Sequence, residues 1–189
     1  MERTGSARRS EVVAAALTVL EERGHEGVTM RAVAERLGIR APSLYKHVAD
    51  KDALEVSLVA EGLQDWAAHF SAAIQGSAEP LASLARAYRE WALRRPHLYR
   101  LMTDKPMPRN QLPPGVEAAA AAPIIAAVGG NPDLARIAWA LAHGLASLEI
   151  ARRFPEDADL DAAWRTAIAA LQAQADRNAH TVTTQEDQS

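Results

Sequence analysis

An all-α fold is predicted by three observations on the chain. Apolar residues recur at three- and four-residue spacing in block after block, no stretch alternates with the period of two that a half-buried strand requires, and Gly and Pro fall between the blocks. Composition agrees: 48% of the 189 residues are hydrophobic, with many alanines, yet only 5% are aromatic. A chain of this length can bury one large or two small helical cores.

The first element is SEVVAAALTVLEERG, where Val13, Leu17 and Leu20 mark one helical face and Gly24 ends it. Residues 28–54, VTMRAVAERLGIRAPSLYKHVADKDAL, then encode two short helices crossing at a tight turn. Thr29 is placed to cap the first of them, and Met30, Val33, Ala34 and Leu37 form its stripe at i, i+3, i+4, i+7. Gly38 can take a positive φ, Ile39 plugs the corner, and Pro42 sits where the first turn of the second helix tolerates a missing N–H. Leu44 and Val48 bury the second helix, which leaves Arg40, Ser43, Tyr45, Lys46 and His47 on its other faces. A glycine alone is common to helical hairpins. The basic outer face is what suits a phosphate backbone and the base edges of a major groove.

Asp50 is placed to cap a longer helix, KDALEVSLVAEGLQDWAAHFSAAI, which carries Lys51 in its first turn. On Glu22-Arg23-Gly24, Thr29 ahead of Val33-Ala34, Gly38-Ile39, Ser43-Leu44-Tyr45-Lys46-His47, Lys51 and Leu54, residues 8–60 resemble the N-terminal domain of the TetR family of transcriptional regulators. The resemblance implies phosphate contacts from Thr29, Tyr45 and Lys51, and groove contacts from Arg40, Ala41, Ser43, Lys46 and His47; Arg31 and Pro42 complete the candidate DNA-binding set. Phosphate contacts set register and base contacts set specificity. Two positions bear on the fit. Val48 stands where the family usually has an aromatic residue, most often Phe, and Pro42 restricts which backbone amides of the reading element can donate.

The net charge of −3 is unevenly spread. Between residues 28 and 51, Arg31, Arg36, Arg40, Lys46 and Lys51 stand against Glu35 and Asp50, a local +3 that leaves −6 for the remainder. A local basic patch on an acidic body suits one defined DNA-binding surface rather than a coating protein. With no cysteine, neither a disulfide framework nor a thiolate metal site is possible. The N-terminus lacks an apolar signal region, and the alanine run near residues 118–128 is too short and interrupted to span a bilayer, so the expected location is the cytoplasm.

Pro80, Arg95-Pro96, the stretch from Asp104 to Gly115 and Gly129-Gly130-Asn131-Pro132 divide the rest into helical blocks. The block LASLARAYREWALRRPHLYRLMTD concentrates Tyr88, Trp91, His97, Tyr99 and Met102. The segment 131–154 carries Leu134, Ile137, Leu141, Leu145 and Leu148 on one side, with Trp139, His143, Ala146 and Ile150 roughly half a turn away. A helix apolar on two sides needs two partners. With the final helix, striped by Leu160, Trp164, Ile168 and Leu171, it would form a two-fold four-helix interface and present two reading elements to a palindromic site. The expected dimer residues are Leu134, Ile137, Leu141, Leu145, Leu148, Trp164, Ile168 and Leu171.

Trp139-x-x-x-His143-Gly144, preceded by Tyr88-x-x-Trp91 and by Pro96-x-Leu98-Tyr99-Arg100-Leu101-Met102, resembles a TetR-type C-terminal domain with a Trp-His-Gly signature. That resemblance implies an inducer-binding fold, and the candidate ligand residues are Phe70, Tyr88, Trp91, Tyr99, Met102, Trp139 and His143. Read by chemistry alone, Trp139 and His143 are more often core residues than a ligand box. Arg94, Arg95 or Arg100 would be the anchors for an anionic effector. The proline-rich segment DKPMPRNQLPPG reads as a gate over a pocket or as a plain surface connection. The expected organisation is residues 1–52 as a helix-turn-helix DNA-binding domain, 53–176 as a regulatory and dimerisation domain, and 177–189 as a disordered tail.

An enzyme finds no support: there is no HExxH, no phosphate-cradling glycine loop, no paired Glu-x-x-His, and the six histidines are scattered. No cofactor and no metal is expected. The leading expectation is a homodimeric regulator, a repressor released from a palindromic operator by a small, largely apolar effector. The alternative is a ligand-independent DNA-binding adaptor that recruits a protein partner.

Overall fold

The computed structural model describes residues 2–186, with side chains described for 8–180. Every regular element among them is helical: α1 Glu2–Gly27, α2 Met30–Arg36, α3 Lys51–Ile74, α4 Pro80–Arg94, α5 Pro96–Thr103, α6 Val116–Ala127, α7 Pro132–Ile150 and α8 Leu160–Glu186, with 3₁₀ turns at Ala41–Lys46 and Arg109–Gln111. The chain gathers into two compact units. One holds the residues up to Gln64 with Arg95–Val116, the other Asp65–Arg94 with the residues from Glu117 onward. This differs from a single boundary at residue 52, because the segment after α4 returns to pack with the N-terminal helices.

In the first unit α1 packs on α2 and on α5. Its buried face is Val12, Ala16, Val19 and Leu20, while Leu17, expected on that face, is half-buried. Gly24 leaves helical geometry at φ 70°, which puts the expected stop inside α1 as a kink. Glu21 reaches the start of α5, its carboxylate accepting the Leu98 N–H at 2.9 Å, an anion at a helix N-terminus that opens with Pro96. α5 lies close on α3 because Gly62 has no side chain: a Cβ there would stand 2.4 Å from Met102 Sδ. Tyr99 and Met102, expected at a ligand site, are thereby buried in this unit's core.

Glu55, in the second turn of α3, is the electrostatic hub of the unit. His25 Nε2 lies 2.7 Å and Lys105 Nζ 2.9 Å from its carboxylate oxygens, with Lys51 Nζ at 3.7 Å. Burial pushes this carboxyl up, but the hydrogen bonds from Lys105 and His25 outweigh it and hold Glu55 below its usual range.

In the second unit α4 packs on α7 and α8. The Asn131 side chain caps α7, accepting the Asp133 and Leu134 N–H groups at 3.0 Å each. Arg89 of α4 ties three helices together: its guanidinium donates to Glu149 of α7 at 2.7 and 2.9 Å and to Asp161 of α8 at 2.5 Å, and stands over the Trp164 ring. The hydrogen bond from Arg89 holds the Asp161 carboxyl low. α8 runs on to Glu186, so the tail expected to be disordered from 177 is helical over its described part, and 187–189 lie outside the described residues. The reason is visible along the helix. No Gly or Pro interrupts 160–186, and local side-chain bonds such as Gln174 to Asn178 at 2.9 Å and Arg177 to Gln174 at 2.6 Å support the polar stretch beyond Leu171, which lacks the apolar stripe of the first turns.

Replacing Arg89 by Met leaves Glu149 largely buried without its partner, and is expected to lower stability by roughly 2 kcal/mol in chemical denaturation, with Arg89→Lys intermediate because it loses the fork. Because Glu55 is held below its unfolded value, its contribution is complete above about pH 4.3 and is shed as pH falls through the folded value. Glu55→Gln should therefore flatten the acid limb of the stability profile between about pH 5 and about pH 3; an unchanged limb in urea titrations followed by circular dichroism would count against the hub.

Candidate nucleic-acid interface

The surface begins with a helix start and a helix stop. Thr29 is extended and its Oγ1 accepts the Ala32 N–H at 3.1 Å, which starts α2; Val33 and Ala34 then bury its inner face. At the other end Gly38 takes φ +66°, the Ile39 N–H donates to Ala34 O at 3.0 Å and the Gly38 N–H to Glu35 O at 3.1 Å. These two bonds are the Schellman closure, and they aim the chain away from α2. A Cβ at Gly38 would meet nothing within 4 Å, so the glycine is required for its dihedral angle and not for space.

The second element is a six-residue 3₁₀ turn, Ala41–Lys46, where an α-helix was expected. Pro42 has no N–H to give, and disfavours α geometry at Ala41 before it; the bonds that form are Ser43 N–H to Arg40 O at 2.9 Å and His47 N–H to Leu44 O at 2.8 Å. At three residues per turn, side chains three apart share a face. Ala41, Leu44 and His47 therefore point one way. Leu44 is fully buried and its two companions half-buried, so Ala41 and His47, expected in the groove, lie at the inner edge of the turn. Pro42 with Tyr45, and Ser43 with Lys46, make up the outward faces, and Tyr45 is 55% exposed.

Charge pairing separates the cations. Arg40 and Lys46 are exposed, and among the described residues neither makes an ion pair or a side-chain hydrogen bond. Arg31 is bonded to Glu35 at 2.8 Å, with both side chains largely in solvent. Arg36 is held by Glu22 through two bonds of 2.6 and 2.7 Å, a link between α2 and α1. Lys51 opens α3 beside its cap, where Asp50 Oδ1 accepts the Ala53 N–H at 2.8 Å, and leans on Glu55. The Lys51–Glu55 spacing was open to view in the sequence, whereas the approach of His25 and Lys105 depends on tertiary packing.

The residues expected to bind an effector are not gathered at one place. Phe70, Tyr88 and Trp91 pack with Trp66 in the second unit, ring centroids 5.4–5.7 Å apart, and the Trp91 indole N–H donates to Asp65 at 2.5 Å. Trp139 stacks on His143 at 5.8 Å, and His143 Nδ1 lies 3.3 Å from Ser147 Oγ. Of the seven, only Tyr88 and Trp139 reach the apolar crevice between α4, α7 and α8, which Leu84, Leu145, Trp164 and Ile168 also line. It holds about 30 Å³, room for a water or two.

The expected dimer residues divide in the same way. Ile137, Leu141 and Leu148 are 57%, 38% and 44% exposed on one face of α7. Leu134, Trp164 and Leu171 are buried within their own unit, and Leu145 and Ile168 are half-buried. Periodicity ran these residues together because a helix apolar on two sides does not say which side its own unit covers. Among the described residues no group of three His, Asp or Glu side chains could hold a metal, and no helix is long and apolar enough to cross a membrane.

Comparison with known proteins places the chain. Residues 12–57 match the profile described as bacterial regulatory proteins, tetR family, and residues 81–171 match that of the tetracyclin repressor-like C-terminal domain. The chain is 32% identical to the uncharacterized HTH-type transcriptional regulator Rv0681 of Mycobacterium tuberculosis, over 89% of this chain and 82% of that one. Its fold is similar to a protein of unknown function from Rhodococcus sp. RHA1, with a TM-score of 0.71 at 26% identity over 88% and 93% of the two chains. It is also similar to a TetR variant from Acinetobacter baumannii AYE solved in complex with minocycline, with a TM-score of 0.61 at 28% identity over 88% and 94%. With an all-α fold, a helix–turn–helix pair built on Thr29 and Gly38, and both family profiles matched in order, this chain belongs to the TetR family of DNA-binding transcriptional regulators.

Proposed function

We propose that the protein is a homodimeric repressor that reads a palindromic operator and is released from it by a small, largely apolar effector. Residues 1–52 serve as the DNA-reading part, 53–176 as the regulatory and dimerisation part. The observation that carries the reading is the outward face of the 3₁₀ turn: Arg40, Tyr45 and Lys46 stand exposed and without internal partners on an element anchored by Leu44. Arg40 and Lys46 supply the donors suited to guanine O6 and N7 or to phosphate. Thr29, Lys51 and the Tyr45 hydroxyl supply register, and Ser43 and Pro42 present small surfaces between them. Arg31 joins the phosphate contacts by giving up Glu35, an exchange that costs little because the pair is exposed.

Dimerisation is supported by the apolar face of α7. Ile137, Leu141 and Leu148 follow the helix repeat along one side, and Gly144 within that stripe meets nothing a Cβ would touch within 4 Å. Two copies packed through this face and α8 form a two-fold bundle, and the symmetry supplies two reading turns to inverted half-sites. The effector is assigned to the crevice beside Tyr88 and Trp139. With only about 30 Å³ free, binding requires α4, α7 and α8 to part, so a ligand there favours a different arrangement of the unit. Release of DNA then follows from its differential affinity for the two arrangements.

Selection of random duplexes by the purified protein should enrich one short inverted repeat; enrichment of unrelated or non-symmetric sequences would sink the reading. On that repeat, Lys46→Ala is expected to reduce the slope of log K against log salt by about 1 per half-site, and Arg40→Ala to relax preference at one base position. Leu141→Glu should convert the dimer to monomer in light scattering and abolish tight operator binding, whereas Tyr45→Ala should lose DNA affinity and remain dimeric.

A further inference from the structure

A roomier cavity than the crevice assigned to the effector, with an apolar wall of its own, lies in the first unit. The first turns of α3, the end of α5 and the segment from Lys105 to Gln111 surround a cavity of about 220 Å³, against about 30 Å³ for the crevice. Val56, Val59, Leu101, Met102 and Met107 form its apolar wall. Three charged side chains line it, Asp52, Glu55 and Lys105, one negative charge in excess among the lining residues, with His25 and Lys51 reaching Glu55 from outside the lining.

Of the acids, Glu55 is the one set into the wall. Its side chain is 15% exposed, and Lys105, which pairs with it at 2.9 Å, is 52% exposed on a long flexible stem. An anion entering here meets two carboxylates. A neutral molecule fills the apolar wall and leaves the charge excess as it was. A cation with an apolar body satisfies both, because it can take the Glu55 oxygen now held by Lys105 and release that lysine to solvent, where its charge is readily hydrated. The adaptable thioethers of Met102 and Met107 suit a wall that accepts flat rings of varied outline.

We propose that this cavity is a binding site for a small amphipathic monocation, its ring against Val59, Leu101 and Met102 and its ammonium on Glu55 in place of Lys105. The site is separate from the effector crevice, and binding to it requires no DNA.

The test uses the full-length protein with methyl-labelled methionine and phenethylamine as the probe, with 2-phenylethanol and phenylacetate as neutral and anionic counterparts of the same shape. Saturable shifts of the Met102 and Met107 methyl signals are expected with the amine, with Met30 unmoved and with the alcohol and acid at least about tenfold weaker, the worth of one charge-assisted contact. Glu55→Gln should weaken the amine by about tenfold or more, and Lys105→Met should tighten it, since the competing cation is gone. Met107→Trp, which fills the cavity from its surface segment, should block binding. Equal response to amine and alcohol, an amine affinity unchanged or weakened by Lys105→Met, or no shift at either methionine would overturn the site. Should Glu55→Gln fail to fold, the Lys105→Met comparison still decides. Because the readout contains no operator, a negative result leaves the DNA-reading function standing, and a failed operator selection leaves this site untouched.

Discussion

At Gly38 the backbone takes a positive φ that only glycine adopts without strain, and the position of each exposed cation beyond it follows from that single dihedral angle. The Schellman bonds end α2 and send Ile39 into the corner; Arg40 then runs extended into a turn whose geometry is set by Pro42. Leu44 is the only fully buried side chain of that turn, and it fixes the rotation about the turn axis. Once Leu44 points inward, a repeat of three leaves Tyr45 and Lys46 no choice but to point outward. The outward face of this turn is thus the consequence of one backbone reversal and one buried leucine.

What distinguishes the cations of this surface is the company they keep. Five basic residues lie between 28 and 51, and a count by sign treats them alike. In the folded chain Arg36 is spent on Glu22, where it binds α2 to α1, and Lys51 shares Glu55 with His25 and Lys105. Of these five, only Arg40 and Lys46 have no ion-pair partner among the described residues. A basic patch is therefore less informative as a net charge than as a question of which carboxylates lie within reach, and that depends on helices far apart in sequence.

How much of this was legible in the sequence depends on whether the signal was local. The periodicity of 30–37 with a glycine at its end gives α2 and its stop correctly, because the cap, the stripe and the turn are decided within ten residues. The segment 131–154 likewise contains α7, but neither of its two apolar sides is wholly covered: Leu134 is buried while Ile137 on the same side is exposed, and Ala146 is buried while Trp139 on the other is exposed. The 3₁₀ form of the reading element was within reach too, since Pro42 and the shortness of the segment both argue against a full helix, but the motif's usual form outweighed them. The aromatic set was beyond sequence reasoning. A high density of Tyr, Trp and Met says that a segment is buried, not where: Trp91 and Tyr88 close the second unit, while Tyr99 and Met102, a few residues on, are buried in the first. The tail departs from the expectation because absence of an apolar stripe bears on packing, not on helicity, and local side-chain bonds such as Gln174 to Asn178 accompany α8 through this part.

The small number of unpaired cations bears on why the proposed dimer matters for DNA binding. Each phosphate neutralised contributes a roughly equal, salt-dependent increment, so a single reading turn offering Arg40, Lys46 and the neighbouring Lys51 and Thr29 has few increments to offer. Linking two such turns in one rigid assembly makes the second engagement intramolecular, and affinity then grows far beyond that of either half. The same logic gives the proposed effector a way to act without touching DNA: it need only disturb the spacing of the two turns, after which one half-site can be engaged but not both. A monomeric reader would be insensitive to such a change. In this scheme the exposed stripe of Ile137, Leu141 and Leu148 is as much a part of operator recognition as Arg40, since it sets the distance over which two weak contacts become one strong one.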